Sequence, residues 1–370
     1  MLAFRRMRSA PESGNAVTET DNIVVETAER IFADLADAQT INNSTDGGWK
    51  AKLWQALAES GLPLSWVPED CDGSGASMAE GFAVLGAAGR FGIALPLAET
   101  MLAGWWLSQA KISSPEGMMT VAPTRPRDVL TLNADGTISG RARSVPYASE
   151  AKHIAVAAIG ADGVSIALVE ASACRIEKGL GLADDPSDVV TFDHVKPVGI
   201  ASAPAGIDAG SLLLMGALTR SLQIAGAMES MLNISVNYAG ERVAFEKTIS
   251  KFQAVQHNLA RLAGETSAAL AAASSAADAL SHDAAFDEAI FLEAASAKIR
   301  CGEAAEKGAA IAHQVFGAIG FTQEHILHRY TLRALAWRDD FGSESYWAVE
   351  LGRLIASRGA DELWPLVASR

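Results

Sequence analysis

The sequence predicts a mainly α protein with a small β domain: an N-terminal helical domain, a middle antiparallel β domain and a C-terminal four-helix bundle. Three observations carry this. Apolar residues recur at helical spacing early in the chain and again from Ser211 to the end. Between these stretches lie β-branched runs split by Asp-Gly turns, which are hairpin signals. The order is helices, strands, helices, without the βαβ alternation that a doubly wound sheet requires.

Taken in order, MLAFRRMRSAPESGN is basic but has no apolar core region, so residues 1–19 read as a loose tail and not a signal peptide. NIVVETAERIFADLADA sets Ile23, Val24, Ala28, Ile31, Phe32 and Leu35 near one helical face. LWQALAESGLPLSWVPEDCDGSG reads as a helix stopped at Gly61 and a loop with Pro63 and Pro68. ASMAEGFAVLGAAGRFG and LAETMLAGWWLSQA add two helices and complete a helical domain over 20–115. DVLTLNADGTISGRARSVPYA and HIAVAAIGADGVSIALVEA predict two hairpins, and DVVTFDHVKPVGI a further strand, in a β domain over 116–205. Three long helical segments and a last helix near Ser345 fill 206–370. Their Ala-rich middle predicts helices packed closely on their neighbours, and long helices with short connections predict a bundle.

A chain of 370 residues suggests two or three domains, and 49% hydrophobic residues are ample for buried cores. A net charge of −14 argues against a nucleic-acid partner. Cys71, Cys174 and Cys301 are odd in number and far apart, which fits neither a disulfide framework nor a CxxC metal site and points to a reducing cytoplasm. No uncharged run reaches the roughly 18 residues of a membrane span, since Arg90 interrupts GFAVLGAAGRFGIALPL, so a soluble protein is expected.

The chain has no GxGxxG, GxxxxGK[ST] or GxSxG motif. Glu324, His325 and His328 have metal-like spacing, but no third ligand cluster accompanies them, so helix-end or interface roles are expected and no metal. Arg242, Phe245 and Lys247 follow Gly240 at a break between helices, which spacing alone reads as a solvated basic loop. Gln253, Gln256 and His257 follow, either as surface residues or as amide contacts to a cofactor.

ERVAFEKTISKFQAVQHNLARLAGE and HQVFGAIGFTQEHILHRYTLR resemble the C-terminal domain of the acyl-CoA dehydrogenase family, and LWQALAESGLPLSWVPEDCDGSGAS resembles its N-terminal domain. The resemblance covers most of residues 20–370, strongly in the last third and poorly in the β domain. It implies a flavoenzyme that oxidises the Cα–Cβ bond of an acyl-CoA thioester. A glutamate takes the weakly acidic α proton while the β hydrogen leaves as hydride to FAD. It also implies homo- or hetero-oligomers, as dimers or tetramers, and an electron-transfer flavoprotein as electron acceptor. Family FAD sites span a subunit interface. The motif residues lent across it match Arg242, Phe245, Gln253, Gln314 and Gly317, with Ala318 where a second glycine is usual. An arginine suits a pyrophosphate through charge-assisted bonds. Ser343 and Ser345 match positions near the flavin or its phosphates, and would also suit a helix N-terminus.

The resemblance also exposes departures. Where the family's β-domain flavin motifs stand, this chain has VAPTRPRD (121–128) and SVPYA (144–148), with Ser144 at a tryptophan position, Pro146 at a hydroxyl position, and Tyr147 as a substitute aromatic surface. The two places where family members carry the glutamate align with Phe341 and Thr219, neither of which can take a proton. Asp340 remains as the catalytic candidate, and Arg220 as a substrate-binding one. Glu344 is expected as a solvated residue at the last helix's start, and Glu229 is too far along its helix to replace Thr219. Two readings follow: an active dehydrogenase using Asp340, or a half-site subunit that completes the FAD site of a homologous partner.

Overall fold

The structure, a computed structural model, describes residues 19–44, 47–282 and 285–368. The tail expected over 1–19 lies outside the described residues except for Glu19, which opens the first helix. The N-terminal part holds α1 (Glu19–Leu35), α2 (Ala38–Asn43), α3 (Trp49–Glu59), α4 (Met78–Arg90) and α5 (Leu97–Ser108). Gly61, in the left-handed region at φ 74°, ends the chain's run out of α3, as its sequence predicts. Ser77 and Glu80 form a reciprocal capping box that starts α4.

The middle strands are β1 (Met119–Ala122), β2 (Leu130–Leu132), β3 (Ile138–Pro146), β4 (His153–Gly160), β5 (Gly163–Glu170), β6 (Arg175–Glu177), β7 (Ser187–Val195) and β8 (Gly199–Ser202). They form one sheet in the order β6-β7-β3-β2-β4-β5-β8, with β1 beside β4. Both Asp-Gly signals fall in turns, Asp135-Gly136 between β2 and β3 and Asp162-Gly163 at the β4–β5 hairpin. The sheet is antiparallel apart from β1 and a single β2 bridge, which run parallel to β4. Its inner face forms a core of its own around Ile154, Val156, Val169, Val190 and Phe192.

The last part holds α6 (Ala209–Glu241), β9 (Val243–Ala244), β10 (Lys247–Thr248), α7 (Gln253–His282), α8 (Glu288–Phe316), α9 (Leu327–Asp339), α10 (Glu344–Arg358) and α11 (Leu363–Ala368). A capping box of Asp208 and Ser211 starts α6, the central rod of the molecule. By length and composition α6 matches a membrane span, but its apolar window is wholly buried inside the protein, so it is a core helix. It crosses α4 at backbone contact: a Cβ on Gly226 would stand 2.2 Å from the Gly86 carbonyl oxygen, and one on Gly89 2.2 Å from that of Gln223. Alanines knit α7 to α8, with Ala269, Ala273 and Ala276 buried on one and Ala294, Ala297 and Ala304 on the other. The N-terminal helices and the bundle share a single core.

Candidate functional site

Two regions bear on function, one inside the bundle and one at its exposed end. The inner region is the loop from α9 to α10. Trp337, Asp340 and Phe341 turn inward there, with Phe341 at φ 53° and Gly342 at φ 90°. The Phe341 ring is 1% exposed and lies directly over Gly216 of α6, where an added Cβ would meet ring carbons at 2.2 to 2.6 Å. Its carbonyl accepts the Trp347 indole N–H at 3.0 Å. Lys298 of α8, fully buried, donates to the carbonyls of Trp337 at 2.6 Å and Arg338 at 2.9 Å and so caps the end of α9. Burial pushes the Lys298 ammonium down to about 7, with Asp340 pulling it partly back.

Asp340 and Arg220 are brought together. Arg220, 2% exposed, donates to Asp340 at 3.0 Å, to Glu99 of α5 at 2.5 Å and to Gln223 at 2.6 Å. Its face also lies 5.8 Å from the Phe341 ring centroid and 5.9 Å from that of Trp337. Burial favours loss of the Arg220 proton, but the Glu99 and Asp340 charges outweigh it and hold the guanidinium above its ordinary value. An arginine with both carboxylates and an amide already on it has its fork filled by its own chain. Thr219, beside it, buries a hydroxyl that has no hydrogen-bond partner among the described residues.

Glu344 departs from expectation. It is not solvated: its carboxylate accepts from Arg338 Nε at 2.8 Å, and hydrogen bonds and charge from Arg338 hold it below its ordinary value against the opposing effect of burial. A helix-start glutamate within reach of an arginine at the end of the preceding helix gains more from pairing than from hydration. Ser343 accepts from the Tyr346 N–H and caps α10, whereas Ser345 lies within the first turn. His325 and His328 serve local bonds, to the Leu327 N–H and the His325 carbonyl.

At the far end of the bundle, β9 and β10 form a tight hairpin with Phe245 and Glu246 both at positive φ, the geometry of a type I′ turn. Phe245 is held 89% exposed. Arg242, Gln253, Gln314 and Gly317 are exposed too, and none of the three polar side chains is hydrogen-bonded within the described residues. Tyr238 stacks on Phe316 with centroids 4.2 Å apart, which ties the end of α6 to the end of α8 and gathers Arg242, Gln314 and Gly317 at one edge. Lys247 lies 4.4 Å over the Phe252 ring.

These geometries test the fit of FAD. The exposed edge fits a lending role: one free guanidinium, two free amides, an uncovered aromatic ring and a glycine at φ 64°. The chain's own cleft between the β domain and the bundle does not fit a flavin ring. Tyr147 is buried there at φ 54°, Pro146 offers no N–H, and Asp185 of the β6–β7 turn is bonded to the buried Arg333 at 2.9 Å. The inner part of that cleft is a chamber of about 140 Å³, lined by Tyr147, Asp185, Arg220, Trp337 and Asp340. Ligand sites of drug size begin at roughly 300 Å³.

Sequence reasoning missed Glu99, Gln223 and Lys298. Glu99 carries a signal, as the sole charge in the apolar run of α5, LAETMLAGWWLS. Lys298 carries none, because its surroundings are set by helices distant in sequence.

Residues 208–344 match the family model described as the acyl-CoA dehydrogenase C-terminal domain. The chain is similar to the acyl-CoA dehydrogenase IpdE2 of Mycobacterium tuberculosis, 27% identical over 296 residues that cover 79% of this chain and 82% of that protein. Its fold is similar to a chain of the ChsE4–ChsE5 complex from Mycobacterium tuberculosis, with a TM-score of 0.81, 22% identity, and 93% of this chain and 99% of that one covered. It is similar also to a chain of a variant of the Tcur3481–Tcur3483 steroid ACAD, with a TM-score of 0.80, 24% identity and coverage of 92% and 98%. The layout of helices, sheet and bundle agrees with these likenesses, and the C-terminal part of the chain, residues 208–344, belongs to the acyl-CoA dehydrogenase family.

Proposed function

We propose that this chain works in the FAD-dependent α,β-dehydrogenation of an acyl-CoA thioester as the half-site subunit of a two-chain dehydrogenase. The observation that carries the reading is the Phe341 ring seated on Gly216, where the family's glutamate is expected. A carboxylate base must reach an α proton at hydrogen-bond distance. Phe341, which the resemblance matches to that place, is a buried hydrocarbon ring, and the nearby arginine is engaged by Glu99, Asp340 and Gln223. The edge, by contrast, keeps its donors free.

FAD, when bound, supplies the hydride acceptor. Toward it, Arg242 offers a planar fork for a phosphate, Gln253 and Gln314 offer amides, Phe245 covers an apolar face, and Gly317 lets backbone come close. Two structural neighbours are named as pairs of different chains, and one as a steroid ACAD, which supports an unlike partner and a bulky acyl group. An electron-transfer flavoprotein as electron acceptor and a cytoplasmic location complete the proposal. The free thiols of Cys71, Cys174 and Cys301 suit a reducing compartment.

The test is the visible spectrum. The chain purified alone is expected colourless, and yellow with stoichiometric flavin when co-expressed with a homologous dehydrogenase subunit. Arg242→Ala is expected to strip flavin from that complex. Stoichiometric flavin in the lone chain would overturn the proposal.

A second reading keeps Asp340 as the base, favoured by its carboxylate lining the inner chamber beside Tyr147. Asp340→Asn decides: turnover by the complex is expected unchanged, and a loss of about 100-fold or more, the cost of a misplaced catalytic group, would favour this second reading.

A further inference from the structure

We infer that the start of α9, where it packs on the β6–β7 turn, binds a monovalent inorganic anion of the halide class on Arg329 and Arg333. The two arginines stand four residues apart, so they share one helix face. Arg333 is 5% exposed and Arg329 is half-buried. Arg333 folds back along the helix: one Nη donates to the Arg329 carbonyl at 3.1 Å and the other to Asp185 at 2.9 Å. Arg329 has no ion pair among the described residues, so two guanidinium charges share the one carboxylate of Asp185.

Three features leave positive charge unmet here. The Nε–H groups of both arginines are shut off from bulk water and have no hydrogen-bond partner among the described residues. Buried donors are nearly always paired. Arg329 also lies in the first turn of α9, at the positive end of the helix dipole, and that turn holds no acidic residue. Burial, and then the charge of Arg333, pushes the Arg329 guanidinium down to about 10, with Asp185 only partly opposing. A water molecule would meet the N–H groups and leave the charge, whereas an anion meets both. Two guanidinium groups against one carboxylate leave one positive charge, which one monovalent anion cancels. A halide also sheds its hydration at lower cost than a doubly charged phosphate or sulfate, because desolvation rises steeply with ionic charge.

The place gives the anion a task. α9 belongs to the bundle and Asp185 to the β domain, so the bond between Arg333 and Asp185 joins the two. An anion on Arg329 removes the like-charge repulsion that works against Arg333 from one turn away. The joint between β domain and bundle is then held more firmly.

The test is equilibrium urea unfolding of the full chain in sodium gluconate, with chloride replacing gluconate at constant ionic strength. It is repeated with sulfate, and on R329Q, a variant that breaks no ion pair among the described residues. Chloride at ten times its dissociation constant is expected to lower the unfolding constant of the unchanged chain about 11-fold, and to leave that of R329Q unaltered. No chloride dependence, an equal one in R329Q, or an equal one with sulfate would overturn the site. Crystals of the full chain soaked in bromide give a second readout that needs no variant. An anomalous peak against the guanidinium groups of Arg329 and Arg333 is expected, and bromide bound only elsewhere would overturn the assignment. The site does not rest on the half-site reading: neither readout depends on flavin, and an absent chloride response leaves the flavin content of the two-chain complex as it was.

Discussion

The contact between Phe341 and Gly216 makes a quantitative prediction through a double-mutant cycle. In Gly216→Ala the new methyl lands 2.2 Å from Phe341 Cδ1, 2.4 Å from Cγ and 2.6 Å from Cε1, so the ring has to move. Overpacking of this kind costs about 1–3 kcal/mol, and the better helix propensity of alanine returns about 1 kcal/mol, leaving a net loss of roughly 0–2 kcal/mol. Phe341→Ala removes a ring that is 1% exposed and is expected to cost about 3–5 kcal/mol. In the double variant the methyl introduced on α6 enters the void, the clash vanishes and the propensity gain stays. The double variant is therefore expected to be about 1 kcal/mol more stable than Phe341→Ala, a coupling of roughly 1–3 kcal/mol. Equilibrium urea unfolding followed by tryptophan fluorescence measures all four corners. Additivity within about 0.5 kcal/mol would show that the ring does not sit on α6, and with it the claim that the expected base position is filled would fall.

Arg220→Met leaves Glu99 and Asp340 buried without their cation and is expected to cost about 3–5 kcal/mol, read as a lowered urea midpoint. Thr219→Val removes a buried hydroxyl that has no partner among the described residues and is expected to stabilise the chain by about 1 kcal/mol in the same assay. Lys298 has a native pKa of about 7 against an ordinary 10.5, so between those values the unfolded chain binds the extra proton and stability rises with pH. The slope from this one group approaches about 1.4 kcal/mol per pH unit, and Lys298→Met is expected to lose that part of the rise, whatever its absolute stability.

Much of the architecture was legible because it rests on local signals. Asp-Gly turns fix the hairpins by backbone conformation alone, and apolar spacing fixes which helix faces are buried. The edge residues were named through resemblance alone, and the fold holds Arg242, Phe245, Gln253, Gln314 and Gly317 exposed at one end of the bundle. The inner cluster was not legible. Glu99 and Arg220 are 121 residues apart and Arg220 and Asp340 are 120 apart, so no local pattern links them. Glu344 looked like a solvated helix-start acid, and its pairing with Arg338 depends on how the loop between α9 and α10 folds back.

In the strip WRDDFGSESYW the sequence alone determined that the segment is polar and that Ser343 suits a helix N-terminus, while the match of Phe341 to a base position is what the resemblance implies. Only the tertiary structure decided that the ring points inward onto Gly216, that Asp340 is tied to Arg220, and that Arg125 reaches the Asp339 carbonyl. The physical reason is that turns and amphipathic faces are stabilised within a few residues of chain. The partner of a buried charge, and the space left beside it, are set by which distant elements pack together.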